Sequence, residues 1–372
     1  MGKEKKIVIA TGTRAEWGLL SPLAKELRNR GERPLIAATY AHLFEDMGHT
    51  LREIEEDGFE VAARIATRRE AAAATADAIE GFSRYFEEER PDMAVILGDR
   101  FEMLGVATAA LLKGIRIAHI AGGTTSQGAY DEAIRHSISH MATLHFPETE
   151  KGRKKLEAMG IAADKIFTAG ALGVYNTLNG GRMTRRELTE SLGIDLGKDY
   201  ILATFHPATV DEKTPLRQMS IFTEGIRKFL MREEAISFLL TYPNTDTDVR
   251  PLIAELEALQ KEFPGRVWLY NSLGRERYLS AARGARGVAG NSSSGIVEVP
   301  SLGTPVLDIG DRQKGRERSR AVRHSGLEAE EISEKLSEII TDEARQEAKE
   351  APNPYYQPET PSLIAEKILT AL

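Results

Sequence analysis

Short runs of branched apolar residues alternate along the chain with longer stretches in which apolar positions recur every three or four residues. KIVIATG (6–12) reads as a buried strand followed by a helix over about 16–30, and RPLIAATY (33–40) as a second strand. The alanine-rich stretch 69–89 is a strong helix former, and MAVILGD (93–99), IRIAHIAGG (115–123) and LHFPET (144–149) read as further strands with helices between them. Strands this apolar are buried on both faces, as in a parallel sheet covered by helices. After a polar, glycine-containing stretch over 179–199, read as an inter-domain connection, the pattern restarts. Strands are predicted at 200–207, 236–244, 266–272, 285–291 and 304–310, with helices over 215–232 and 248–263. The four prolines of 351–361 interrupt helix, and a last amphipathic helix over 361–372 is positioned to return to the first domain. The fold class expected is α/β, with two Rossmann-like domains (1–178 and 195–350) facing one another across a cleft.

Length agrees with this division, since 372 residues exceed one ordinary core and suit two domains. With 41% apolar and 28% charged residues the chain is globular, and a net charge of −7 with no dominant basic patch argues against nucleic acid as a partner. No cysteine is present, which excludes disulfides, thiolate catalysis and cysteine metal sites. The first eighteen residues carry only a four-residue apolar run before glycine and charge, too short for a signal peptide. No later segment approaches the roughly 20 apolar residues of a membrane span, so a cytoplasmic protein is expected.

In sheets of this type ligands bind beyond the carboxyl ends of the strands. The polar residues that follow the strands are Arg14, Asp99 with Arg100, the 121–131 loop, His206, Asn244 and Asn291–Ser294. GNSSSG (290–295) opens a short helix whose free N–H groups and serine hydroxyls suit a phosphate or diphosphate, gripped by Ser292 and Ser293. Glu298 suits two ribose hydroxyls. Read blandly, Ser292 caps the helix and Glu298 is a solvated acid, and for the serines alone the two readings weigh equally. Pro300 sits awkwardly inside a helix expected to run to Gly303. GDRQKGRERSR (310–320) is either a solvated basic loop or the source of a diphosphate clamp, Arg316 or Lys314. Asp99 and Asp131 are candidate acid/base groups, although Asp131 reads equally as the N-cap of the following helix. His206 suits a leaving group or a phosphate, with a structural role as the alternative. His119, His136, His140 and His145 lack metal-ligand spacing, and neither a G-x-G-x-x-G fingerprint nor a P-loop is present. No metal and no cofactor is expected.

Taken together, TGTRAEWGLLSPL, LGDRFEMLGVA, HIAGGTTSQGAYDEAIRH, TFHPAT, TYPNTD and GNSSSGIVEVPSLGTPVLDIGDRQKGR resemble the UDP-N-acetylglucosamine 2-epimerase family. The resemblance runs from about residue 6 to 325 and is strongest to the hydrolysing branch, which feeds sialic and legionaminic acid synthesis. It implies a GT-B-type fold, usually in a homodimer. It also implies a reaction: removal of the C2 proton of a nucleotide sugar, elimination of UDP to a 2-acetamidoglucal, and hydration to the free 2-epimeric sugar. By this resemblance Arg14, Ser292, Ser293, Glu298 and Arg316 would hold the nucleotide. Arg100, His206 and Asn244 would line the diphosphate and sugar, and Asp99 and Asp131 would be acid/base residues.

One departure stands out. The hydrolysing branch often has HIEGGE where this chain has HIAGGT, so the branch's two glutamates are replaced by Ala121 and Thr124. Alanine moves no proton. Either Asp99, Asp131 and His206 suffice, or Glu132 reaches in, or the substrate differs from UDP-N-acetylglucosamine. The smaller Ala121 leaves room for a 4-acetamido-6-deoxy sugar. Two other readings stay open, a glycosyltransferase with the same nucleotide site and a nucleotide-sugar sensor without turnover.

Overall fold

The computed structural model describes residues 5–47, 50–124, 130–197, 199–207, 213–243 and 249–372. Residues up to Asn176 together with Gln357–Leu372 form one compact unit, and Thr177–Tyr356 form a second.

The first unit is built on β1 (Ile7–Thr11), β2 (Leu35–Thr39), β3 (Val61–Ile65), β4 (Met93–Leu97), β5 (Arg116–Ile120) and β6 (Leu144–Phe146). These strands pair in the order β3-β2-β1-β4-β5-β6, parallel throughout. In the second unit, β7 (Asp199–Thr204), β8 (Ile236–Thr241), β9 (Val267–Tyr270), β10 (Gly287–Gly290), β11 (Val306–Ile309) and β12 (Val322–Ser325) repeat the arrangement as β12-β11-β10-β7-β8-β9. Both sheets reverse their winding once, between β1 and β4 and between β7 and β10. In doubly wound sheets that reversal opens the ligand crevice at the carboxyl ends of the two central strands.

Alternation within each central strand explains the layers. Ile7 and Ile9 pack with Trp17 and Leu20 on one face of the first sheet, while Val8 and Ala10 pack with Phe82 and Met103 on the other. Ile201 and Ala203 against Tyr200 and Leu202 do the same in the second sheet. Helix Thr360–Ala371 returns to the first unit, burying Ile364, Ala365 and Ile368 in the core that holds Leu20 and Leu23.

The apolar pattern misses β3 and β12. Both are edge strands: β3 alternates exposed and covered residues and carries Arg64, and β12 is only four residues long with Arg323 and His324 inside it. Neither offers the continuous apolar run of a central strand. The stretch read as a connection holds a helix, Arg185–Leu192, set by a reciprocal cap. The Thr184 hydroxyl accepts from Glu187 N at 3.3 Å and the Glu187 carboxylate accepts from Thr184 N at 2.7 Å. Its Leu188 and Leu192 enter the core of the second unit. Pro300 is accommodated because the α-helix expected to reach Gly303 stops at Val297 and a 3₁₀ turn, Val299–Leu302, takes over. At the second position of that turn proline gives up no helical hydrogen bond.

Candidate active site

In the first unit the polar residues gather where the sheet reverses. The chain leaves β1 through Gly12 and Thr13, whose hydroxyl accepts from Glu16 N at 3.2 Å at the start of helix Arg14–Asn29. The Glu16 side chain turns back into the protein, where its carboxylate accepts from Gly12 N at 2.7 Å. Beyond β4 come Asp99, Arg100 and helix Phe101–Leu112, with Glu102 in the first turn and fully buried. Arg100 Nε donates to Glu102 Oε1 at 2.5 Å, and its guanidinium lies beside the rings of Tyr40 and Phe101, 5.4 and 5.5 Å from their centroids. Glu16 and Glu102 meet over Gly12. A Cβ there would stand 2.5 Å from Glu102 Oε1 and 3.1 Å from Glu16 Oε2, so only glycine leaves room for both carboxyls.

Burial first, and the neighbouring Glu102 charge second, push the Glu16 carboxyl up to about 7, against the Arg100 charge and the hydrogen bonds from Gly12 and Thr13. Glu102 is raised as well, by burial, with Arg100 opposing. A carboxyl whose pKa rises on folding contributes stability that is fully present below its unfolded value, 4.5, and is lost as pH rises through about 7. Glu16→Gln is therefore expected to raise the melting temperature at pH 8 by roughly 2–4 °C and to change it little at pH 4.5, as read by calorimetry. An equal shift at both pH values would contradict the buried titration.

Beyond β5, Ala121 adopts a left-handed backbone (φ 62°) and its N–H donates to Phe146 O at 2.9 Å. Arg135, on helix Asp131–Met141, is buried, donates to Thr124 O at 2.5 Å and pairs with the Asp99 carboxylate. Asp131 is the first residue of this helix, and the N-cap position belongs to Tyr130, which makes no side-chain cap bond. The capping alternative for Asp131 is thereby removed. Its half-buried carboxylate makes no hydrogen bond or ion pair among the described residues. Glu132 is held by Lys155 at 2.5 Å. Arg14 pairs with Glu53 at 2.6 Å, well exposed, and not with Asp99 or Glu102. His119 bridges Gly98 O at 2.8 Å and Ser139 Oγ at 3.1 Å, and burial lowers it to about 4, so a neutral ring ties the β4 loop to the helix.

The second unit gathers its groups at its own reversal. Asn291 clamps the main chain of His206: its Oδ1 accepts from His206 N and its Nδ2 donates to His206 O, both at 2.8 Å. Arg312 and Gln313 donate to Asn291 O at 3.1 and 2.9 Å, tying in the turn beyond β11 that also carries half-buried Arg316. Gly290 (φ 133°) lies so close to Thr204 O that any Cβ would collide with it. Ser292 occupies the N-cap position of helix Ser293–Val297, but its hydroxyl makes no cap bond. Ser293 is exposed beside it. Tyr278 OH donates to Ser294 Oγ at 3.1 Å, and Ser294 in turn hydrogen-bonds Glu298. Burial raises the Glu298 carboxyl, against the Ser294 hydrogen bond and the Arg275 charge, so it is not the solvated acid of the bland reading. Asn244 lies outside the described residues.

Sequence reasoning names Arg14, Asp99, Arg100, Asp131, His206, Asn244, Ser292 and Ser293 beyond the strand ends, Glu298 in the following helix and Arg316 in a basic loop, and misses Glu16, Glu102, Arg135 and Tyr278. The T-x-x-E spacing of Thr13 and Glu16 signals a helix start and not a buried acid. Among the described residues no group of three or more histidine or acidic side chains is placed to hold a metal ion, and no helix is long and apolar enough to cross a membrane.

Two doubly wound parallel sheets of the same strand order, each with polar groups at its reversal, define an α/β protein of two Rossmann-like domains. The chain belongs to the UDP-N-acetylglucosamine 2-epimerase family, which residues 25–369 match. It is 36% identical over 341 residues to the GDP/UDP-N,N'-diacetylbacillosamine 2-epimerase (hydrolyzing) of Campylobacter jejuni, covering 90% of this chain and 88% of the relative. It is 31% identical over 360 residues to the polysialic acid biosynthesis protein P7 of Escherichia coli, covering 95% and 90%. The crystal structure of UDP-GlcNAc 2-epimerase from Neisseria meningitidis bound to UDP-GlcNAc shares the fold, with a TM-score of 0.78 at 19% identity over 98% of this chain and all of that one.

Proposed function

We propose that the protein is a hydrolysing 2-epimerase of a UDP-linked 2-acetamido sugar. The observation that carries the reading is the 36% identity, over nine tenths of the chain, to a relative named as a hydrolysing 2-epimerase. In this reading Asp99, whose charge Arg135 balances, takes the C2 proton. The C1–oxygen bond then breaks, and UDP departs with its electron pair, leaving a C1=C2 double bond. Water adds across that bond: its hydroxyl goes to C1, and its proton passes through Asp131 to the opposite face of C2. The Asp99 proton returns to solvent. Ser292, Ser293, His206 and Arg316 hold the diphosphate, Arg100 the sugar-phosphate, Glu298 the ribose and Asn244 the sugar, with Arg14 at the nucleotide. The small Ala121 favours UDP-2,4-diacetamido-2,4,6-trideoxyglucose over UDP-N-acetylglucosamine, in keeping with the name of the Campylobacter relative. A cytoplasmic homodimer completes the reading. Leu111 and Leu112, 51% and 73% exposed, are apolar side chains that a second subunit would cover, and light scattering reports the assembly.

The test is incubation of the purified protein with each of the two sugars in D2O, followed by NMR. Release of UDP with a free manno-configured sugar deuterated at C2 is expected, faster from the diacetamido substrate. UDP release that requires an added acceptor would instead mark a glycosyltransferase, and UDP binding without turnover a sensor.

The nucleotide assignment carries its own prediction. Because the Ser292 hydroxyl caps nothing, Ser292→Ala is expected to leave the melting temperature unchanged and to weaken UDP binding about tenfold, the worth of one hydrogen bond to a charged group. Calorimetry reads both. A drop in melting temperature with unchanged UDP affinity would return Ser292 to the role of a cap.

A further inference from the structure

The buried carboxyl pair of the first unit has no part in the proton transfers just described. Glu102 is fully buried and Glu16 nearly so, and each keeps one buried oxygen, Glu102 Oε2 and Glu16 Oε1, without a hydrogen-bond partner. Two such groups in a core are costly unless they serve a neighbour. The neighbour is Arg100, the only described residue that donates a side-chain hydrogen bond to Glu102.

The geometry at Arg100 is specific. Glu102 takes Nε, and neither terminal nitrogen has a partner among the described residues. Tyr40, held at φ 47°, and Phe101 lie together on one side of the guanidinium, their ring centroids 5.0 Å apart. With Nε fixed by Glu102 and one side covered by the two rings, the two Nη groups are left as a fork for two oxygens of one anion. The residues lie at the reversal of the sheet, beyond β1 and β4, where ligands of doubly wound sheets bind.

We propose that Glu102 is a positioning residue that aims the Arg100 fork at the sugar-phosphate of the nucleotide sugar, and that Glu16 sets the net charge this fork presents. The inference rests on the function proposed above. With Glu16 protonated, one carboxylate balances one guanidinium and the fork accepts an anion. With Glu16 ionised, two carboxylates face one guanidinium and the anion is repelled. Asp99, the residue before Arg100, is balanced by Arg135; among the described residues the other groups beside this loop are Tyr40, which offers its ring, and His42, neutral because burial lowers it to about 4 and held by Thr11 at 3.0 Å and Thr50 at 2.7 Å. Neither supplies a compensating charge, and Glu16 itself titrates at about 7.

The experiment measures kcat and KM of the full chain from pH 6 to 9 on both UDP sugars, for the wild type, Glu102→Ala, Glu102→Gln and Glu16→Gln. Glu102→Ala is expected to raise KM about tenfold, more than it lowers kcat, with Glu102→Gln restoring most of the loss because its amide oxygen still accepts from Nε. Wild-type KM is expected to rise above pH 7, and Glu16→Gln to abolish that rise while keeping the acceptor for Gly12 N. A Glu102→Ala variant with wild-type KM, no rescue by glutamine, or a Glu16→Gln variant that retains the alkaline rise would each overturn the inference. A wild type that turns over neither sugar would refute the proposed function instead. Calorimetric binding of UDP-N-acetylglucosamine to the same four proteins then decides on Arg100, by the same ratios and the same pH dependence.

Discussion

Arg135→Ala is expected to destabilise the protein by about 3–5 kcal/mol and to lower turnover by at least about 100-fold. The arginine is only 4% exposed and does two jobs with one planar group: Nη1 donates to Thr124 O at 2.5 Å, and Nη2 pairs with the Asp99 carboxylate. Removing it leaves Asp99 without its counter-charge in a mostly buried setting and frees the loop beyond β5 from the loop beyond β4. The energetic penalty comes from the uncompensated charge more than from the lost attraction, since a buried pair broken on one side costs far more than the pair contributes when intact. Two variants separate the causes. Arg135→Lys keeps the charge but, as a point donor, cannot hold both partners, so it should recover much of the stability and little of the rate. The double variant Arg135→Ala with Asp99→Ala removes the orphaned charge and should be more stable than Arg135→Ala alone. Chemical denaturation and steady-state kinetics on the four proteins read both effects. A single Arg135→Ala change that leaves kcat intact would show that Asp99 needs no fixed orientation.

This arginine also shows where the sequence stops being legible. The central strands announce themselves because both faces are buried: in IVIAT and MAVIL every residue is covered, and the runs are continuous. The residues directly after them are legible for the same reason, since the end of a buried run is a sharp boundary. Asp99, Arg100, His206 and Ser292 all fall at such boundaries. Residues that reach the same place from a helix have no such marker. Arg135 in DEAIRH reads as one more cation on an amphipathic helix, and only the packing of that helix shows that its side chain runs inward to Asp99. Glu16 and Glu102 sit in first turns of helices, where acids are common because they suit the helix dipole. What makes them unusual is the Gly12 backbone between them, a contact between two loops about ninety residues apart in the chain. Tyr278 reaches Ser294 from a helix in the same way.

Asp131→Asn is expected to reduce kcat by about a thousandfold with little loss of stability, and this contrast separates it from the ion-paired acids near the reversal of the first sheet. Asp99 is paired with Arg135, Glu102 with Arg100 and Glu132 with Lys155, so changing any of them disturbs a partner as well as a charge. Asp131 is half-buried, caps nothing and has no hydrogen-bonded or ionic partner among the described residues. An amide of the same shape leaves the packing unchanged and removes the proton traffic. As a first-turn acid Asp131 also favours the helix dipole by about 0.3–1 kcal/mol, so the melting temperature should move by no more than a few degrees. The measurements are single-turnover kinetics, to keep product release out of the rate, and deuterium incorporation at C2. If Asp131 serves only the hydration step, the variant should accumulate the glycal, with UDP released and the free sugar missing. If it serves no proton transfer, the free sugar should form at nearly the wild-type rate, and the second acid/base role would have to be sought elsewhere, with His206 the next group to change.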